Sequence, residues 1–251
     1  MSPRRDADHL SIVMHELRNP LVGIEAAARV LAKDLRTHPA EQRAQAIATE
    51  TRHMLALLES VADAEAAAAG RLRSILRPID LAALVGETAE SMHLNGHPVK
   101  LRGTDVPVRV QGDDRRIRQV LANLLTNAAA YSPPKGIIEV TVGVDPRRRT
   151  ATVEVRDHGP GIPPLERRKL FSKFGRLSTA GGTRGSGLGL YVSRAIIRDH
   201  HGEIGFDSAS GGGSAFSFSL PLLESEDAAR PAKATRKAAP KRTTPKRRSG
   251  R

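Results

Sequence analysis

The chain has 251 residues, of which 39% are apolar and only 3% aromatic, so its core must be built from Leu, Ile, Val and Ala. It contains no cysteine, which excludes disulfides, thiolate metal sites and cysteine nucleophiles, and no run approaches the ~18 apolar residues of a membrane helix. The formal net charge is +13, but ten cations and no acid fall within 230–251, leaving +3 for the first 229 residues. The N-terminus lacks an apolar leader and the chain reads as cytoplasmic.

In chain order, Leu10, Met14, Leu17, Leu21, Ile24, Ala28, Leu31 and Leu35 recur at alternating steps of four and three, the seam of a long helix from about Asp6 to Arg36. His15 lies one residue past that seam, at its solvent border, with Glu16 beside it and Asn19 one turn on. Pro20 removes a backbone hydrogen bond and predicts a kink just after His15. The pattern breaks at Thr37-His38-Pro39-Ala40. A second helix is expected from about Glu41 to Ala69, with Ile47, Thr51, Met54, Leu58, Val61, Glu65 and Ala68 in the same rhythm. Two such helices form an antiparallel hairpin whose unsatisfied seam is met by a second copy, giving a four-helix bundle in a homodimer.

Gly70 is a helix stop and Arg71 to Pro78 reads as a linker. Thereafter Ile79 to Leu94 is expected as helix, Val106 to Val110 as strand, Asp114 to Ala130 as helix. Ile137 to Val144 and Thr150 to Arg156 read as strands about a turn at Asp145-Pro146-Arg147. A loop rich in Gly and Pro, Gly159 to Gly187, precedes a helix from about Leu188 to His200. Two short strands, around Ile204 and from Phe216 to Leu220, close the unit. Helices mixed with hairpins predict an α+β fold, helices layered on one sheet. The tail of Pro, Ala, Thr, Lys and Arg cannot bury enough surface to offset its ordering entropy and is expected to be disordered.

Four further segments carry chemistry. Asn123 and Asn127 are four apart, so both amides leave one helical face, and an amide oxygen suits Mg²⁺ that keeps water and phosphate as its other ligands. Asp157 can accept a hydrogen bond from an exocyclic amine, and Gly159 and Gly161 let a base come close to the backbone. Phe171 and Phe174 follow. Gly185, Gly187 and Gly189 open directly onto a helix, where free N–H groups favour phosphate. The loop between the glycine runs carries Arg167, Arg168, Lys169, Lys173, Arg176 and Arg184, as a lid over a polyphosphate would. Taken singly, each has an ordinary structural explanation; their order and spacing decide otherwise.

In that order the segments resemble the kinase core of a bacterial two-component sensor histidine kinase, from about Asp8 to Leu220. His15 with Glu16, Asn19 and Pro20 resembles the H box, and Asn123 to Ser132 the N box. Asp157 to Gly161 resembles the G1 box, Phe171 and Phe174 the F box, and Gly185 to Gly189 the G2 box. The resemblance implies a HisKA-type dimerisation and phosphotransfer domain at 1–72, a linker at 73–79, an ATP-binding α/β sandwich of Bergerat type at 80–223 and a basic tail at 224–251. It implies that His15 attacks the γ-phosphoryl of ATP with Mg²⁺ bound at Asn127, Glu16 accepting the imidazole proton. The phosphoryl group then passes to an aspartate on a response regulator receiver domain. Asn19 matches the place implicated in dephosphorylating that partner. Asn123, Asn127, Tyr131, Asp157, Gly159, Gly161, Phe171, Phe174, Arg176, Gly185, Gly187 and Gly189 are the implied nucleotide-binding residues. Where related ATPases of this fold have a Glu that activates water, this chain has Asn123, which cannot act as that base.

Ala130 departs from the family, which usually places a cation before Tyr131; a lid cation such as Arg176 is the expected substitute. Only fourteen residues precede His15, so the input is expected either from an upstream sensor protein or through an unrecognised surface of this chain. The competing reading is a weak or inactive kinase-like scaffold that acts as a DNA- or acidic-surface-associated adaptor, nucleic acid or acidic membrane meeting 230–251 through phosphate contacts.

Overall fold

The computed structural model describes residues 21–31, 33, 40–94, 96–175, 186–209 and 212–223. The expected kink at Pro20, the loop at 37–39 and the basic tail lie outside these residues.

Residues 21–31 are helical, here α1, and α2 spans Ala40–Ala68. The two pack together, Arg52 of α2 reaching Glu25 of α1 at 3.6 Å. Of the predicted seam, Ala28 and Thr51 are buried, whereas Ile24, Leu31, Ile47 and Met54 are each about half exposed; Ala44 and Ala48, outside that seam, are buried instead. Small residues therefore close the hairpin, and large ones remain on its outside. The α2 terminus is a Schellman motif: Gly70 takes a left-handed φ of 63°, its N–H donates to Ala67 O, and Arg71 N donates to Ala66 O.

The second unit begins with a strand where a linker was expected. β1 (Arg77–Asp80) pairs antiparallel with β3 (Arg109–Gly112) in a separate two-stranded ribbon. Pro78 is tolerated because the ribbon has only edges. α3 (Leu81–Ser91) follows directly, capped by Asp80, whose Oδ1 accepts from Ala82 N and Ala83 N. The expected start at Ile79 is thus moved to the residue after the cap. β2 (Val99–Arg102) was not anticipated, and the strand expected at Val106 to Val110 starts three residues later, at Arg109.

α4 (Asp114–Tyr131), β4 (Ile138–Asp145), β5 (Thr150–Arg156), α5 (Gly189–Asp199), β6 (Glu203–Ser208) and β7 (Ser214–Pro221) fall within a few residues of expectation. The main sheet has the order β2-β4-β5-β7-β6, with β2 parallel to β4 and every other neighbour antiparallel. Its registers stack apolar side chains across strands: Val140 beside Val155 beside Phe216, and Val142 beside Val153 beside Phe218. These positions alternate with polar Glu139, Thr141, Glu154 and Ser217, so one face is apolar and the other wet.

α4 and α5 lie on the apolar face. On α4 the buried positions are Ile117, Val120, Leu121, Leu124, Leu125 and Ala128, a stripe of 3.6-residue period. Each fully buried side chain of this size stabilises the fold by roughly 1.5–3 kcal/mol. The stripe fixes the rotation of α4, and that rotation sets where Asn123 and Asn127 stand. The architecture is the predicted one, a helical hairpin followed by an α/β sandwich.

Candidate nucleotide-binding site

A cleft of about 360 Å³ opens between α4, the loop after β5 and the start of α5. Asn123, Asn127, Tyr131, Asp157, Gly161, Gly187 and Gly189 all line it. These residues come from segments up to 66 positions apart, and one cavity gathers them.

Asn123 is held by α5: its Nδ2 donates to Gly189 O and to Ser193 Oγ, each at 3.3 Å. With the amide nitrogen committed to α5, the amide orientation is set by backbone and by a fully buried hydroxyl. Asn127, one turn on, is half-buried at the cleft wall.

Asp157 follows β5 and is 3% exposed. Its Oδ1 accepts from Gly159 N at 2.8 Å and Ser214 N at 3.2 Å, while its own N–H donates to Ser214 O. Burial pushes this carboxyl above its ordinary value, and the hydrogen bonds from Gly159 and Ser214 offset only part of the rise. Gly159 is required by contact, since a Cβ there would stand 2.4 Å from Tyr131 O. That glycine lets the loop lie against the end of α4.

The aromatic pair behaves differently from expectation. Leu170 and Gly175 line the cleft, and the two phenyl rings do not. Phe171 packs against the core with Arg194 over its ring at 5.9 Å. Phe174 has φ 61° and is 61% exposed, with Lys173 5.5 Å from its ring centroid. The left-handed backbone turns that side chain outward, which spacing alone does not announce. The backbone of Phe174 instead abuts Gly187, so the segment shapes the cleft through its main chain.

His15, Glu16, Asn19, Arg176 and Gly185 lie outside the described residues. The structure adds residues that the sequence reading did not assign to the site: Thr126, Ile162, Ser214 and Phe216 within the sandwich, and Ala56, Leu57 and Ser60 from α2. Thr126 is flagged by its place between the two asparagines. The contribution of α2 had no sequence signal, because it depends on how two distant units meet.

Among the described residues no group of three or more His, Cys, Asp or Glu could hold a metal ion. Besides the Asp157 carboxyl, the donors in the cleft are neutral amides and hydroxyls, which fit Mg²⁺ when phosphate oxygens complete its shell.

A sheet layered with helices, a cleft at the end of α4 walled by amides, glycine turns and one buried carboxyl, and a helical hairpin attached ahead of it define the class: an ATP-binding kinase core joined to a phosphoacceptor hairpin. Two family models agree. Residues 6–70 match the His Kinase A (phospho-acceptor) domain, and residues 112–224 match the histidine kinase-, DNA gyrase B-, and HSP90-like ATPase. The chain belongs to the histidine kinases of two-component systems.

It is 36% identical to the adaptive-response sensory kinase SasA of Thermosynechococcus vestitus, over 85% of this chain and 59% of that protein. It is 30% identical to the signal transduction histidine-protein kinase/phosphatase MprB of Mycobacterium avium, over 84% of this chain and 41% of that one. The chain thus spans about half the length of these relatives. Among solved structures, full-length ShkA in complex with AMPPNP superposes with a TM-score of 0.68 at 26% identity, over 86% of this chain and 46% of that one. No helix among the described residues is long and apolar enough to cross a membrane.

Proposed function

We propose that the chain phosphorylates itself on His15 from Mg·ATP and passes the phosphoryl group to an aspartate of a response regulator. The observation that carries this reading is the convergence of Asn123, Asn127, Asp157 and the glycines Gly161, Gly187 and Gly189 on one cleft that is walled on another side by α2 of the phosphoacceptor hairpin. Asp157 accepts the exocyclic amine of adenine, and the N–H groups at the start of α5 receive phosphate oxygens. Mg²⁺, held by Asn127, would neutralise phosphate charge there.

An imidazole is substantially unprotonated near neutral pH and needs no extreme activation as a nucleophile. A ring nitrogen of His15 attacks the γ-phosphorus, the bond to the β-γ bridging oxygen breaks, ADP leaves, and Glu16 takes the ring proton. The phosphohistidine then gives its phosphoryl group to a carboxylate of the receiver domain. Asn19 is the residue placed by sequence for the reverse task, orienting water against the phosphorylated partner. Asn123 supports transfer to histidine over hydrolysis, since no carboxylate base stands at its position.

Incubation of the full chain with γ-labelled ATP should yield acid-labile, alkali-stable label, and His15→Gln should abolish it while leaving nucleotide binding intact. Label that persists in His15→Gln would overturn the assignment.

A further inference from the structure

The last turns of α2 are built into the ATP-binding unit. Ala64 is fully buried in the sandwich core, and Val61, Ala66 and Ala67 pack against that core. On either side of Ala64 stands a polar clamp. Asp63 Oδ2 accepts from Arg116 Nη1 at 2.8 Å and from Gln119 Nε2 at 2.7 Å, and the same Arg116 nitrogen donates to Gln119 Oε1 at 2.9 Å. Asp63 and Arg116 side chains are only 14% and 12% exposed, so this closed triad is far less screened than a surface pair. Glu65 pairs with Lys173 at 2.5 Å, next to the segment that shapes the cleft. A few residues back along α2, Ala56, Leu57 and Ser60 form one wall of the nucleotide cleft itself.

The hairpin register gives this docking a meaning. Glu25 meets Arg52 across the two helices. α1 packs along this same α2, so the height at which the ATP-binding unit grips α2 at 61–67 fixes where the cleft, walled by Ala56, Leu57 and Ser60, opens along the hairpin.

We infer that Asp63, Arg116 and Gln119, with Glu65 and Lys173, are positioning residues for phosphoryl transfer. None of the five lines the cleft; they set the height at which the ATP-binding unit seats on α2, and with it where the cleft opens along the phosphoacceptor hairpin. A half-buried triad suits this role because Asp63 must find both Arg116 and Gln119, and a slip of one helical turn would take both donors from its carboxylate. This inference rests on the autokinase reading above, and its test separates the two.

In the full chain, Asp63→Lys and Arg116→Glu should each lower the autophosphorylation rate at saturating ATP by about tenfold or more, because a small misplacement of reacting groups is costly. Binding of a fluorescent ATP analogue should stay within about twofold of wild type, since no cleft donor is altered. The double variant Asp63→Lys with Arg116→Glu should recover most of the rate. Labelling of the single variants at or above the wild-type rate would overturn the inference, as would failure of the double variant to recover while it still binds the analogue. If either reversal abolishes analogue binding, the milder Gln119→Leu and Glu65→Gln take its place with the same criteria.

A second readout does not need activity. The chain contains no cysteine, so Ser60→Cys with Thr126→Cys can be joined within one chain by a short bismaleimide. Adding Asp63→Lys should suppress that cross-link, and undiminished cross-linking would overturn the clamp. Absence of label on the wild type would sink the kinase reading and leave this second result to decide the docking.

Discussion

Burial lifts the Asp157 carboxyl above its ordinary 3.8, with the Gly159 and Ser214 hydrogen bonds pulling partly the other way. A carboxyl whose folded pKa is raised contributes stability that is complete below the unfolded value and is lost as pH rises through the folded one. At neutral pH the charge on Asp157 therefore opposes folding, yet an exocyclic amine needs that charge as its acceptor. Asp157→Asn should consequently melt at or above the wild-type temperature while binding a fluorescent ATP analogue at least roughly a hundredfold more weakly, the scale expected when a buried polar contact is mismatched. In the wild type, analogue affinity should fall on acidification through a pKa above 3.8; melts and titrations across pH test both halves. The residue types of this site were legible because chemistry restricts them: two amides one turn apart, one carboxyl, glycines before a helix. Their surroundings were not legible. Ser193 holds Asn123 from 70 residues away, and the outward turn of Phe174 follows from a backbone angle.

At the scale of elements, Asp113 ties three segments together. Its Oδ1 caps α4 through Arg116 N, its Oδ2 accepts from Ile75 N in the segment after α2, and its own N–H donates to Nε2 of the buried His200. His200 places its other ring nitrogen 2.8 Å from Ile196 O, so that nitrogen carries the proton and Nε2 the lone pair. Partial burial pushes the Asp113 carboxyl up, but the bonds from Ile75 and Arg116 and the charge of Arg115 more than offset this, and it lies below 3.8. Its contribution is therefore present above 3.8 and lost as pH falls through the lower folded value. Asp113→Ala should cost about 1–2 kcal/mol at neutral pH by urea melts, with the variant and wild-type curves converging in strong acid. Helices were legible to within about three residues where an apolar stripe or a stop such as Gly70 marked them. Short strands were not. β2 is four residues whose partner β4 lies far along the chain, and β3 starts beyond Pro107, which has no N–H for a ladder, with Val108 N taken by Asp80 Oδ1.

Across the whole molecule, the half-exposed Ile24, Leu31, Ile47 and Met54 form the outer edge of the hairpin. A second copy covering them would make the homodimer expected from the sequence. Ile47→Asp with Met54→Asp should then convert dimer to monomer in light scattering, with ATP-analogue binding retained because the cleft residues are untouched. The same large-scale view shows how the ATP-binding unit is attached. Its incoming strand β1 pairs with one edge of β3, and on the way out Leu222 bridges to Val110 while Leu223 N donates to Arg109 O. Entry and exit thus meet at a single corner, on either side of one four-residue strand. A unit tethered so can be cut out and spliced behind a different hairpin without any connecting chain having to travel around it. Such a corner makes the sandwich a portable cassette, which evolution could exchange between receptors at the cost of refitting only the few side chains that face α2.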